Sequence, residues 1–377
     1  VVGGVGYSIF AQQVLAHCGA DFGIRGDGEE AIGFLLDELQ GDRRFDRVSG
    51  LLWREDGHIR VNAPGWPARL NVPTDRSTVA NATYFRQGGQ IGVETKRGCN
   101  RRCAYCADPL AKGATFRLRD PEDIAEEFHS LLRQGVDVIH LCDAEFNLPI
   151  EHARDVCEAL IRRRLGERVR WYAYLAVVPF DAELAGAMQR AGCVGINFTS
   201  DAANLAMLAA YGQPHRPEDL SHAVQLCRRH NMAVMTDLLL GGPGETAETA
   251  GESIAFFKRL NPDCAGAALG IRLYPQTPVT ARLTTRGPLE TVPGIHRRYE
   301  GPIDLLRPTF YVSPSLGDRP ARLIRDLIGG DPRFFPPADD TVPDSDADGY
   351  NYNENHVLAD AIANGARGAY WDILRHR

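Results

Sequence analysis

Between about residues 90 and 275 one unit repeats: a short apolar strand, a polar loop and an amphipathic helix. "DPEDIAEEFHSLLRQG" opens on Asp120 as N-cap with Pro121 in the first helical position. It sets Ile124, Phe128, Leu131 and Leu132 on one helical face and stops at Gly135. "VDVIHLCD" follows as a buried strand. The unit returns as "IEHARDVCEALIRRRLG" with "VRWYAYLAVV", and as "DAELAGAMQRAG" with "CVGINFTS". Two more copies are "PEDLSHAVQLCRRHN" with "MAVMTDLLLGG" and "TAETAGESIAFFKRL" with "AGAALGIRLYP". With the opening "QIGVETKRG" this makes about six strands. Such alternation leaves a chain few options. Parallel neighbours need a crossover, a helix fills it, and right-handed crossovers curl the sheet. The expected fold class is therefore α/β, with a full or partial barrel, and its ligands bind at the carboxyl ends of the strands.

The flanks differ. "VVGGVGYSI" reads as a strand with a glycine-rich turn, and "DFGIRGDGEEAIGFLLDEL" as strand, Gly turn and helix. This is the pattern of the second half of a doubly wound domain, and further strands are expected upstream. "LLWREDGHIRVNAPGWPARLNVPTDR" reads as a hairpin and a Pro-rich connector. The expected organisation is residues 1–75 as front domain, 76–285 as barrel, and 286–377 as a helical and irregular region that selects the substrate. In the last region "DSDADGYNYNEN" approaches a calcium loop through Asp344, Asp346, Asp348 and Gly349. Asn355 stands where the bidentate Glu belongs, with Glu354 one place early, so a solvated acidic loop is the better reading. Phe310, Tyr311, Phe334 and Phe335 are candidates for a substrate pocket, with core packing the default.

A net charge of −7 gives nucleic acid no foothold, and no apolar run reaches the roughly 20 residues of a membrane span. A cytoplasmic protein without nucleic-acid or membrane partners is expected. Nine cysteines do not make a disulfide scaffold in a chain of 377 residues. Cys18, Cys142, Cys157, Cys193, Cys227 and Cys264 stand singly in apolar segments and are expected to be buried.

The other three are crowded into "ETKRGCNRRCAYCADP", as Cys99, Cys103 and Cys106, directly after the first strand of the repeat. Structural zinc wants four closed ligands, usually in two pairs, and there is no second pair. A redox dithiol needs only two thiols. An electron-transfer iron–sulfur cluster usually takes four. Three thiolates on a four-iron cluster leave one iron open for a further ligand.

This C-x3-C-x-aromatic-C run at the head of a βα repeat resembles the radical S-adenosylmethionine (SAM) superfamily. The resemblance implies a partial (β/α)6 radical SAM barrel and a [4Fe-4S] cluster held by Cys99, Cys103 and Cys106. It also implies SAM on the open iron and its cleavage to a 5′-deoxyadenosyl radical, with electrons from an external donor such as flavodoxin or ferredoxin. Carried over position by position, Tyr105 packs near the adenine through its backbone. Asp143, then Glu145, of "CDAEFN" are candidates for the SAM amino group. Asn197, Thr199, Ser200 and Asp201 fall where ribose and carboxylate contacts arise. Gly241, Gly242 and Pro243 fall where backbone approaches the adenine, and Arg272, Tyr274 and Pro275 lie in the sixth-strand motif.

"VVGGVGYS" and "GIRGDGEEAI" are similar to the cobalamin-binding domain that precedes the barrel in one class of the superfamily. Gly3, Gly4 and Ser8 match the slot for the nucleotide tail, and Gly26, Asp27, Gly28 and Glu29 match a second cofactor turn. That class implies C-methylation of an unactivated carbon in a small molecule or natural-product intermediate. A cobalamin-bearing oxidative cyclase and an inactive cofactor-binding fragment stand as alternatives.

Overall fold

All six strands of the repeat form, and a seventh joins them. The computed structural model describes residues 1–285, 287–338 and 355–376. Two compact units share the chain, and each is woven from three segments. One unites Val1–Leu70, Lys96–Arg117 and Arg272–Phe310; the other unites Asn71–Thr95, Leu118–Ile271 and Tyr311–Arg377.

In the first unit the expected opening strand shrinks to one parallel bridge, Val2 with Gly23. Gly4 turns the chain at φ 93°, and Val5–Ile9 then wind into a helix around buried Tyr7 and Ser8. A second helix, Ala11–Cys18, leads to β1 (Phe22–Ile24), which pairs antiparallel with β2 (Leu51–Glu55). The expected hairpin closes as β2 with β3 (His58–Val61). The period of two is visible in β2. Leu51 and Trp53 pack with Leu35 of the helix Glu29–Gln40, whereas Leu52 packs with Tyr7 and Leu15. Both faces of this small sheet therefore carry helix, as a doubly wound layer requires.

The second unit is built on a parallel sheet. Its strands are β4 (Ile91–Val93), β5 (Val138–Leu141), β6 (Arg170–Ala176), β7 (Cys193–Asp201), β8 (Ala233–Leu240), β9 (Cys264–Leu269) and β10 (Phe334–Phe335). They lie side by side in chain order, each parallel to its neighbour. Outward residues such as Ile139, Trp171 and Phe198 are fully buried with Phe128, Leu160 and Phe257 of the crossover helices. The first of these helices starts as expected, with the Asp120 carboxylate accepting the Glu122 N–H at 2.8 Å. Asp120→Ala is expected to cost about 1 kcal/mol, measured as a lowered urea midpoint with an unchanged m-value. Arg76 of the connector and Arg119 close on buried Glu127 at 2.8 and 2.7 Å, and Arg76 also donates to the Gly92 carbonyl of β4.

The inner face alternates with the outer one. Its lower layer is His140, Tyr172 and Gly195, and the helix Tyr370–Leu374 fills it. Tyr172 stacks on His140 at 5.2 Å, meets Trp371 edge-on at 6.0 Å and donates to Asp372 at 2.6 Å. A Cβ at Gly195 would come within 2.7 Å of the Tyr172 ring, so the plug needs a glycine there.

Phe334 and Tyr311 are buried, as core packing expects, and Phe310 is exposed with Arg272 over its ring. Cys157, Cys193, Cys227 and Cys264 are buried. Cys18 and Cys142 are exposed, against expectation, since one ends a helix at the surface and the other follows β5 on the inner face. Asp344, Asp346, Asp348, Gly349 and Glu354 lie outside the described residues. Asn355 caps the helix His356–Ala363 by accepting the Leu358 N–H at 2.9 Å. No helix among the described residues is long and apolar enough to cross a membrane.

Candidate functional site

The thiol loop lies wholly in the first unit. Gly98 enters it at φ 92°, where a Cβ would strike the Thr115 carbonyl at 2.0 Å. The Cys99 N–H donates to the Gly113 carbonyl at 3.1 Å, and the Cys106 N–H to the Cys103 carbonyl at 3.1 Å. The Asp108 N–H points at the Cys106 sulfur, 3.4 Å away. Cys99 is buried, and Cys103, Tyr105 and Cys106 are partly exposed.

Arg117 fastens the far end of the loop. Its guanidinium donates to the Thr115 and Lys112 carbonyls at 3.1 and 2.6 Å and lies 4.9 Å over Trp66. The same side chain holds Asp27 at 2.7 Å, and Arg97, on the near end of the loop, holds Asp27 at 3.3 Å and Glu29 at 2.7 Å. The "GDGEE" turn therefore grips the loop at both ends. A third segment joins through the Val279 N–H, which donates to the Ala104 carbonyl at 2.9 Å.

Among the described residues no three His, Cys, Asp or Glu side chains converge as a single-ion site. A cubane makes a different demand, one thiolate at each of three corners. A loop with pinned ends, one sulfur accepting an N–H and no fourth thiol fits that donor set.

Other first-unit candidates are placed as follows. Gly4 precedes the helix Val5–Ile9, next to Gly3. The Ser8 hydroxyl accepts the Gly26 N–H at 3.0 Å, joining the two glycine turns, and Gly28 caps Glu29–Gln40. Arg272 spends its terminal nitrogen on the Leu305 and Leu306 carbonyls and lies 5.4 Å over Tyr274, whose ring is 6.0 Å from Phe10.

The remaining candidates stand at the strand ends of the second unit. Buried Asp143 takes both the N–H and the hydroxyl of Thr95, whose carbonyl is 3.1 Å from His152 Nε2. Glu145, less buried, accepts the Thr199 hydroxyl at 2.6 Å. Ser200 is knitted into β8, donating to the Asp237 carbonyl at 2.8 Å and accepting its N–H at 3.2 Å. Asp201 accepts Gln213 at 2.6 Å, and Asn197 is buried facing β6 and β8. In the turn before Pro243, the N–H groups of Gly241 and Gly242 are both taken by Glu245. The glycines thus wrap a buried carboxylate of their own loop.

Burial pushes Glu245 up to about 7, partly offset by those N–H donors, and pushes Asp237 up to about 7. Ordinary carboxyls titrate near 4, so between about pH 4 and 7 the unfolded chain has released protons that the folded chain keeps. Stability from this source is complete at low pH and is lost as the pH rises through that window. Glu245→Gln should reduce the loss between pH 5 and 8 by on the order of 1 kcal/mol in denaturant titrations. An unchanged pH slope would show that Glu245 ionises freely.

The model of the radical SAM superfamily matches residues 93–257. Over residues 93–257 the chain is a radical SAM domain. Tryptophan 2-C-methyltransferase of Streptomyces laurentii is 27% identical, with 100% of this chain and 80% of that protein covered. An uncharacterised methyltransferase of Pyrococcus horikoshii is 28% identical over 70% of this chain and 59% of its own length. The radical SAM methyltransferase TsrM of Kitasatospora setae, solved with tryptophan and a SAM analogue, superposes with a TM-score of 0.89 at 27% identity. That alignment covers 100% of this chain and 79% of TsrM.

Several residues around the radical SAM loop escape sequence reasoning. Arg117 and Trp66 carry no local signal. Asp237 does: it is the one acid inside the apolar run "MAVMTDLLL". Glu245 was hidden by the adjacent glycines, whose turn appeared to serve a ligand.

Proposed function

We propose that this chain is a cobalamin-dependent radical SAM enzyme that methylates carbon in a small aromatic molecule, with an amino acid such as tryptophan the first substrate to test. One observation carries the reading: the likeness to a solved radical SAM methyltransferase extends over the whole chain, front unit included, at a TM-score of 0.89. The same methyltransferase has been solved with cobalamin and a [4Fe-4S] cluster bound, and 100% of this chain aligns with it at 25% identity.

Cys99, Cys103 and Cys106 would hold the cluster and Gly3, Gly4, Ser8 and the Gly26–Glu29 turn would border cobalamin. When bound, the cluster supplies an open iron for SAM and cobalamin supplies a carrier for the methyl group. This chain's own residues position and shield. Arg97, Arg117 and Asp27 hold the thiol loop in shape. Between the two candidates for the SAM amino group, burial of Asp143 and the two hydrogen bonds it accepts from Thr95 support Glu145. Tyr105, Arg272, Tyr274 and the strand-end residue Thr199 complete the proposed SAM contacts. A flavodoxin or ferredoxin in the cytoplasm would serve as electron donor.

Anaerobic reconstitution should give about four irons per chain. Incubation with SAM, cobalamin, reductant and tryptophan should then release S-adenosylhomocysteine together with a methylated product. Deoxyadenosine without S-adenosylhomocysteine would favour the cyclase reading instead. Stable zinc with no iron uptake would refute both.

A further inference from the structure

One layer above the Trp371 plug, the inner face of the sheet carries a polar floor, of which the sequence singles out Asn197 alone. Tyr174 on β6 and Asn197 on β7 are directly opposite in register, and Asp237 on β8 is opposite Gly266 on β9. The Tyr174 ring is 49% exposed, although it lies within a strand. Asn197 is only 6% exposed, its side chain acts on both Tyr174 and Asp237, and its own Oδ1 is left without a partner. A Cβ at Gly266 would lie 2.8 Å from the Asp237 carboxylate, and Ala268 beyond it is exposed, so β9 leaves room over the floor.

The charge of this face is one-sided. Asp201 adds to the field at Asp237, Cys142 faces Tyr174, and Glu145 stands above on Thr199. From the Tyr172 layer to the carboxyl ends of the strands, the inner positions of β5 to β9 include no Lys or Arg, and Arg170 lies at the opposite end of β6. His140 is pushed down to about 4 by burial, so it brings no positive charge at neutral pH. The floor therefore offers acceptors and an aromatic ring. A buried acceptor left unmade is costly until a donor arrives, and an anion set beside these carboxyls would be buried unpaired.

We propose that this floor receives the hydrogen-bond-donor end of an aromatic substrate, an N–H or O–H on Asn197 Oδ1 and Asp237 with the ring against Tyr174, and turns away molecules that lead with phosphonate or carboxylate. The assignment rests on the proposed function, in that the molecule seated here is the methyl acceptor. It separates this chain's substrate class from that of the cytidylyl-2-hydroxyethylphosphonate methyltransferase of Streptomyces wedmorensis, a relative 23% identical whose name specifies a phosphonate.

The test measures binding of three probes to enzyme loaded with cluster and cobalamin: L-tryptophan, its sulfur isostere 3-(benzothiophen-3-yl)-L-alanine, and 4-phosphono-L-phenylalanine. Tryptophan should bind roughly 10–100-fold tighter than the isostere, the range expected for a donor to a charged acceptor. The phosphonate should show no saturable binding. Asp237→Ala and Asn197→Ala should each bring the tryptophan-to-isostere ratio close to one. Iron and cobalamin content and the melting temperature report whether each variant folds, and Asp237→Asn replaces the alanine variant if it does not. A wild-type ratio near one, a ratio unchanged in both variants, or no tryptophan binding overturns the proposal. The proposed function has a separate readout, release of one equivalent of S-adenosylhomocysteine with no acceptor present. If that release occurs while the probes fail, only the floor assignment falls.

Discussion

Cys103→Ala is expected to remove both the cluster and every reaction of SAM, leaving iron at background after reconstitution. A cube held at three corners has no spare ligand, and the open corner is the place where SAM would bind. The pinned loop cannot lend a substitute, because Gly98, Gly113 and Arg117 fix its backbone, and the loop's own carboxylate, Asp108, is drawn toward Lys112 at 3.7 Å. Iron per chain and the absorbance of the reconstituted protein measure the first effect, and the yield of S-adenosylhomocysteine and deoxyadenosine the second. Retention of near wild-type iron in this variant would mean that a different set of ligands holds the cluster.

The second large effect is expected at Asp27, a residue with no thiol near it in sequence. Its side chain is 5% exposed and Arg117 is 3% exposed, so Asp27→Ala strands a buried guanidinium. Breaking such a pair from one side costs about 3–5 kcal/mol. The melting temperature of the cluster-free protein should fall, and iron uptake should fall with it as the loop loses the partner of Arg117 and one of the two partners of Arg97. A companion variant separates charge from packing. Replacing the pair together, Asp27→Leu with Arg117→Met, removes the stranded charge and should recover much of the stability. Cluster uptake should recover less, since Arg97 would keep Glu29 but still lack Asp27. Equal stability of Asp27→Ala and wild type would show that the clamp is a surface ion pair in all but appearance.

The repeat was readable because helix and strand periodicities are local. Asp120, Pro121 and Gly135 mark one helix within sixteen residues, and the chain obeys them. Three thiols in eight residues were readable for the same reason. The clamp was not, because Asp27 and Arg117 are 90 residues apart and neither alters the pattern around it. The plug was hidden more deeply, since Tyr172 and Asp372 are separated by 200 residues. The glycines of "GGPGE" carry a second meaning besides ligand approach. They signal close approach of a polar group to backbone, and here that group belongs to Glu245 in the same turn. Ser200 likewise looked like a ligand donor, while its hydroxyl is needed where the β7–β8 register shifts. Polar residues at strand ends serve two masters, the sheet and the ligand, and sequence alone does not tell them apart.

Trp371 has a bearing on how the protein is made. The base of the sheet is sealed by a side chain some 100 residues beyond β9, and the Cys264 thiol also points to its carbonyl. During synthesis the first six strands leave the ribosome before their stopper exists. His140, Tyr172 and the gap at Gly195 then face water on the nascent chain, a surface that holding chaperones recognise. Completion of this sheet is therefore a late event, timed by translation of the segment around Trp371.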